Sequence, residues 1–144
     1  IRRWRNGGKF DGKMLTEDHK HIYSIYQRIL TLCNKEKAIT EGEFFDLMYA
    51  NANGWRFNEH KQYTFLRKAG KELLFIIVNF DHISVDVAIN VPSHAFDFLQ
   101  IPQMDIYPAV DLLTGKTESI SLLPYKATEI SVEGYSGKIL KIKL

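Results

Sequence analysis

The sequence predicts a mainly β protein, an antiparallel sandwich or barrel preceded by one amphipathic helix. Three observations point there. Apolar residues recur with helical spacing in one segment, 16–33. From Ile39 onward the period falls to two. Turn signals then interrupt the runs at short intervals with no helix pattern between them, which argues against a parallel α/β arrangement.

Taken in order, Thr16 supplies an N-cap, and Glu17 and Asp18 place negative charge on the first turn, where the helix dipole favours it. Ile22, Tyr26, Ile29, Leu30 and Cys33 form the apolar stripe. Asn34, Lys35 and Lys37 supply a stop and positive charge at the carbonyl end. The natural boundary then lies at 36–40, with a first strand over 42–47. Arg67-Lys68-Ala69-Gly70-Lys71-Glu72 between two strand patterns reads as a tight hairpin. Residues 73–80 are continuously apolar, as a central strand covered on both sides requires. Val85, Val87, Ile89 and Val91 alternate with polar residues, and so do Leu140, Ile142 and Leu144. Asn53-Gly54, Gly70-Lys71, Thr114-Gly115 and the stretch from Gly134 to Gly137 mark turns. Ser93, His94 and Asp97, after Pro92, read as a turn and not as a catalytic triad, because no nucleophile-elbow context surrounds them.

Composition narrows the function. The 144 residues carry 19 Lys and Arg against 17 Asp and Glu, a formal charge of +2. That provides no basic field for nucleic acid. No run approaches the roughly 18 apolar residues of a membrane span. A single cysteine, Cys33, excludes an internal disulfide framework and a multi-cysteine zinc site, and its place on the helix stripe predicts a buried, inert thiol. The five histidines are scattered, no calcium-loop pattern occurs, and Gly7-Gly8-Lys9 lacks phosphate-loop spacing, so neither metal nor cofactor is expected. Glu17 with Asp18, Glu41 with Glu43, and Asp81 with Asp86 are the close acidic groups, and each reads as solvated surface. Localisation stays open, extracytoplasmic or cytoplasmic. Ile1 is not an initiator methionine, and the abrupt Ile1-Arg2-Arg3-Trp4-Arg5 opening reads as a piece excised from a longer protein.

Several motifs share one resemblance. Trp4-Arg5-Asn6-Gly7-Gly8-Lys9-Phe10-Asp11-Gly12, the helix carrying 23–32, and Gly42-Glu43-Phe44-Phe45-Asp46-Leu47 follow one another in order. Tyr63-Thr64-Phe65-Leu66-Arg67 and Leu73-Leu74-Phe75-Ile76-Ile77-Val78-Asn79-Phe80 come next. Together, over about the first two thirds of the chain, they resemble the C-terminal portion of alpha-amylase family glycoside hydrolases, family 13. The resemblance implies that 1–37 is the end of a catalytic (β/α)8 barrel, a loop and its final helix. It implies that 38–144 is a C-terminal Greek-key β-sandwich domain. The family is retaining, and retaining hydrolysis needs two carboxyls about 5 Å apart on a rigid scaffold. No residue of this sequence matches the family's catalytic carboxylates, so the chain alone is expected to be inert. Its implied partner is the barrel of the same polypeptide. A barrel-facing apolar patch left uncovered implies self-association.

The aromatics leave a second reading open, a module that contacts starch-like alpha-glucans. Trp4, Trp55 and Phe57 are its candidate residues, with Tyr63 beside them, since flat amphipathic side chains suit the apolar faces of sugar rings. Trp55 follows the Asn53-Gly54 turn, a geometry that exposes an indole. The resemblance places Trp4, with Arg2, Arg3 and Arg5, at the rim of the barrel's substrate cleft. The competing reading for each is ordinary packing in a sandwich.

Overall fold

The computed structural model describes residues 16–144. Two compact units divide after Lys35, and the described part of the first is helix α1, Glu17–Lys35. Thr16 caps it. The His19 backbone amide donates to Thr16 Oγ1 at 3.3 Å, and that of Lys20 to the Thr16 carbonyl at 2.9 Å. Lys20 and Glu17 pair across one turn at 3.3 Å, and Lys35 sits in the last turn. Leu30 is 62% exposed, and Ile29 and Cys33 are half-buried. The expectation of a buried thiol is corrected accordingly. Among the described residues α1 is the only element of its unit.

The second unit begins with a one-turn helix α2, Lys37–Thr40, where the period of two was expected to begin. Strands follow: β1 Glu43–Asp46, β2 Gln62–Ala69, β3 Glu72–Asn79 and β4 Val85–Ile89. Helix α3, Ser93–Leu99, comes before β5 Met104–Asp111, β6 Thr117–Leu122, β7 Thr128–Val132 and β8 Ser136–Lys143. All pairings are antiparallel. One sheet has the order β1-β2-β3-β8-β5-β6, and the other is the pair β4-β7. The chain changes sheet at β3–β4, β4–β5, β6–β7 and β7–β8, and β8 returns to lie between β3 and β5. That non-sequential order is what a Greek-key sandwich produces.

The β2–β3 hairpin closes through Gly70 and Lys71, with Gly70 at φ +60° in the first central position, as a type II′ turn favours. The turn expected after Pro92 is instead α3. Its Ala95, Phe96 and Leu99 face the core, and Gln100 in the left-handed region ends it. Two turns are too few to announce themselves by periodicity.

Strand β3 explains its unbroken apolar run. Leu73, Phe75 and Ile77 point into the inter-sheet core with Val87, Ile89, Ile130, Leu140 and Ile142. Leu74 and Ile76 point to the outer face, where Ala38 of α2, Phe65, Val78, Leu112 and Ile139 surround them. Arg67 ties α2 down, its Nε donating to the Ala38 carbonyl at 2.9 Å and its Nη2 to that of Gly42 at 2.8 Å. No helix among the described residues is long and apolar enough to cross a membrane.

Candidate functional site

The segment between β1 and β2 is pinned before it reaches solvent. Asn51, fully buried, donates to the carbonyls of Leu47 at 2.8 Å and Asn90 at 3.0 Å, and accepts the Asn90 amide at 2.7 Å. The chain then turns at Asn53-Gly54. Asn53 and Arg56 both have positive φ, 54° and 55°; that is ordinary for an asparagine in an Asn-Gly turn and uncommon for an arginine. Arg56 is held from several sides. Its Nε donates to the Asp86 carbonyl at 3.1 Å, its Nη1 to Glu129 at 2.9 Å, and its own carbonyl accepts the Ala88 amide at 3.1 Å.

Between these two residues stands Trp55, 71% exposed, with the Arg56 guanidinium 5.0 Å from its ring centroid. That is cation–π distance. Phe57, two residues on, points the other way. It is 6% exposed and belongs to the core, and it also lines the cleft that follows. Trp4 lies outside the described residues. Tyr63, 37% exposed, lies on the outer sheet face, its ring 5.6 Å from that of Phe65. Among the described residues, Trp55, Phe57 and Tyr63 are not stacked on one another.

The same loop borders a cleft of about 600 Å³, lined by Gly54, Arg56, Phe57, Asn58, Lys61, Asp81 and Asp86 among others. Lys61 and His82 hold the Asp81 carboxylate at 3.0 and 2.9 Å. The Lys61 hydrogen bond, ahead of the charges of Lys61 and His82, keeps that carboxyl below the usual aspartate range. Asp86 accepts a hydrogen bond from the Ser131 hydroxyl. A second cleft of about 420 Å³, between the sheets, shares Val85 and Asp86 with the first and runs on past Ser84 and Ser131 to Lys138. There Lys138 pairs with Glu118 at 2.6 Å. Asp111, 3% exposed, accepts the Leu113 amide, the Thr114 hydroxyl and the Ile139 amide. The carboxylates expected to be solvated surface are thus partly structural. Among the described residues no group of three or more His, Cys, Asp or Glu is placed to hold a metal ion.

A separate aromatic surface escaped the sequence reading. Phe45 lies 5.2 Å from the His94 ring, 6.0 Å from Phe98 and 6.3 Å from Tyr49, and the Tyr49 hydroxyl bonds His94 Nε2. With Phe44, Asp46 and Asp97 these line an apolar groove of about 760 Å³. Phe44 in turn leads onto the outer sheet face, 5.3 Å from Phe65. The signal was present in Glu43-Phe44-Phe45-Asp46, because successive phenylalanines on an edge strand must point to opposite faces. The partner residues His94 and Phe98 come from α3, which periodicity did not reveal.

No family model matches the sequence, and no curated protein matches it. Solved structures do match the fold. A maltogenic alpha-amylase, AmyB of Thermotoga neapolitana, superposes with a TM-score of 0.66 at 15% identity, over 92% of this chain and 27% of its own. An alpha-amylase of Geobacillus thermoleovorans, solved with acarbose, gives 0.61 at 12% identity, over 94% and 26%. The trehalulose synthase MutB of Pseudomonas mesoacidophila gives 0.53 at 18%, over 85% and 18%. The chain spans about a quarter of the length of the alpha-amylases it matches. These neighbours include enzymes of the family whose C-terminal motifs the sequence resembles, and what they share with this chain is the fold.

Proposed function

We propose that the chain is a non-catalytic C-terminal domain of an alpha-amylase-like glycoside hydrolase acting on alpha-glucans. In this reading 1–37 ends the catalytic barrel, and 38–144 is a sandwich that packs against that barrel and stabilises it. The parent is a retaining alpha-glycosidase whose paired carboxylates belong to earlier barrel strands, and this chain alone has no hydrolytic activity.

One observation carries the reading. The outer face of the six-stranded sheet is apolar although the second sheet covers only its inner face. Phe65, Leu74, Ile76, Val78 and Ile139 lie there, with Phe44 at 46% exposure, Tyr63 at 37% and Val110 at 38% along its margins. A solvated sheet face alternates to polar residues. Arg67 and Lys141 also lie on this face, and Leu74 and Ile76 are already buried there with Ala38 of α2. A partner would cover the exposed apolar remainder around Phe44, Tyr63 and Val110, gaining about 25 cal/mol for each Å² of apolar area removed from water. The exposed Leu30 on α1 belongs to the same account.

Without its barrel the chain self-associates through that face. Light scattering across a concentration series is expected to show reversible dimers or larger species, reduced in Tyr63→Lys. A strict monomer at high concentration counts against the reading. A second reading, a module contacting alpha-glucans, is favoured by the 71% exposure of Trp55.

A further inference from the structure

We propose that Asn53 is a site of spontaneous covalent modification, at which the Gly54 backbone nitrogen displaces the side-chain amide of Asn53 and leaves aspartate or isoaspartate. The reaction draws only on water and hydroxide. As the Gly54 N–H proton is lost to hydroxide, the nitrogen attacks Asn53 Cγ and the new N–C bond closes a five-membered succinimide. The Cγ–Nδ2 bond breaks, and the amide leaves as ammonia. Water then opens the ring at either carbonyl. One opening restores the ordinary backbone with a carboxylate at position 53. The other routes the backbone through the former side chain and lengthens it by a methylene.

The structure selects this asparagine. Of the six described asparagines it alone precedes glycine; the others precede Lys35, Ala52, Glu59, Phe80 and Val91, whose side chains crowd the attacking nitrogen. Asn53 is exposed, and its carboxamide is bonded to no other described residue. Asn51, two positions earlier, is the opposite case, fully buried with both ends of its carboxamide engaged. Nor can the loop exchange its glycine. A Cβ on Gly54 would fall 2.9 Å from the Asn51 carbonyl oxygen, so the turn requires the very residue that makes its neighbour reactive.

The loop also gates the reaction. The Gly54 amide donates to the Asn51 carbonyl at 3.0 Å, so attack waits for that bond to open. The product meets a second constraint. Asn51 is fixed on one side, and Arg56 is tied to Asp86, Ala88 and Glu129 on the other. A longer backbone at position 53 must bulge between these two fixed points.

The test incubates wild type and Asn53→Gln at one mildly alkaline pH, folded and in urea. Tryptic peptides are then mapped by mass spectrometry with fragmentation that separates aspartate from isoaspartate. Trypsin leaves Asn51 and Asn53 on one peptide, 38–56, and Asn6, which also precedes glycine, on another. Folded wild type is expected to accumulate both products at position 53 with Asn51 intact. Conversion is expected to be about tenfold or more faster in urea, where the gating bond is absent. The same peptide of folded Asn53→Gln is expected to stay unchanged. A folded chain whose Asn53 is wholly intact once the urea sample has converted, or whose Asn51 converts alongside it, overturns the assignment. Equal rates in the two conditions overturn the gate, and aspartate without isoaspartate overturns the succinimide route. The isoaspartate fraction, isolated by ion exchange, is expected to melt below Asn53→Asp, which carries the same charge on an ordinary backbone. Equal melting temperatures overturn the claim that the anchors resist the longer chain.

Discussion

Lys141 stands on the outer face of β8, where its Nζ donates to Glu36 at 2.8 Å and lies 3.5 Å from Glu72. The Glu36 hydrogen bond, ahead of the nearby carboxylate charges, raises the lysine above its ordinary value. A base with a raised folded-state pKa contributes stability that is complete below the unfolded value, about 10.4, and is lost as pH rises through the folded one. Melting temperatures taken upward from about pH 9 should therefore fall, and fall less steeply in Glu36→Gln. An identical alkaline decline in both would show that the pair contributes nothing. At this scale the sequence was only partly readable. The alternation of Leu140, Lys141, Ile142 and Lys143 predicted a dry and a wet face, and the inner face is as dry as expected. It could not reveal that Lys141 is engaged, because its partner lies 105 residues away. Asn79 is a similar case. It sat inside an apolar run with no hint that its amide donates to the Ile83 and Glu133 carbonyls and its oxygen accepts from Gln62. Trp55 was readable because its signal is local, a turn followed by an indole. The burial of Phe57 was not readable, because it depends on a core assembled from distant strands.

Among elements, β5, β6 and β7 were not marked individually. Strands β1 to β4 and β8 and the turns at Gly70 and Gly115 were legible, since a period of two and the glycine turns are local properties. The hairpin closing at Gly70 is one such case, and the two-faced burial of β3 is another. The short helices α2 and α3 were not, having one or two turns each and boundaries fixed by tertiary partners. The α2–β1 junction shows what fixes them. A Cβ on Gly42 would fall 2.0 Å from the Ala38 carbonyl oxygen, a backbone atom that Arg67 also binds. Gly42→Ala must push α2 away from the sheet or break that bond. We expect a loss of about 1–3 kcal/mol in urea-induced unfolding, with the slope unchanged. Wild-type stability in this variant would mean that α2 is not clamped as described.

For the whole molecule, patterning gave an antiparallel sandwich or barrel, and the resemblance chose the sandwich that the two sheets form. The large sheet's second apolar face came only as an implication of the resemblance, because it becomes visible once β1, β2, β3, β8 and β5 lie side by side. That face separates a self-sufficient module from a piece of something larger. A module that worked alone would have a polar exterior there, whereas an accessory domain keeps an apolar surface for its barrel. Hydroxyl-radical footprinting compares the two conditions directly, with Phe44 and Tyr63 as reporters on the margin of the face and Tyr125, 81% exposed, as the reference. Measured in the dilute 144-residue chain and again within the parent polypeptide, the account predicts that Phe44 and Tyr63 react in the first and are protected in the second, while Tyr125 reacts equally in both. Equal modification of Phe44 and Tyr63 in the two states would contradict it.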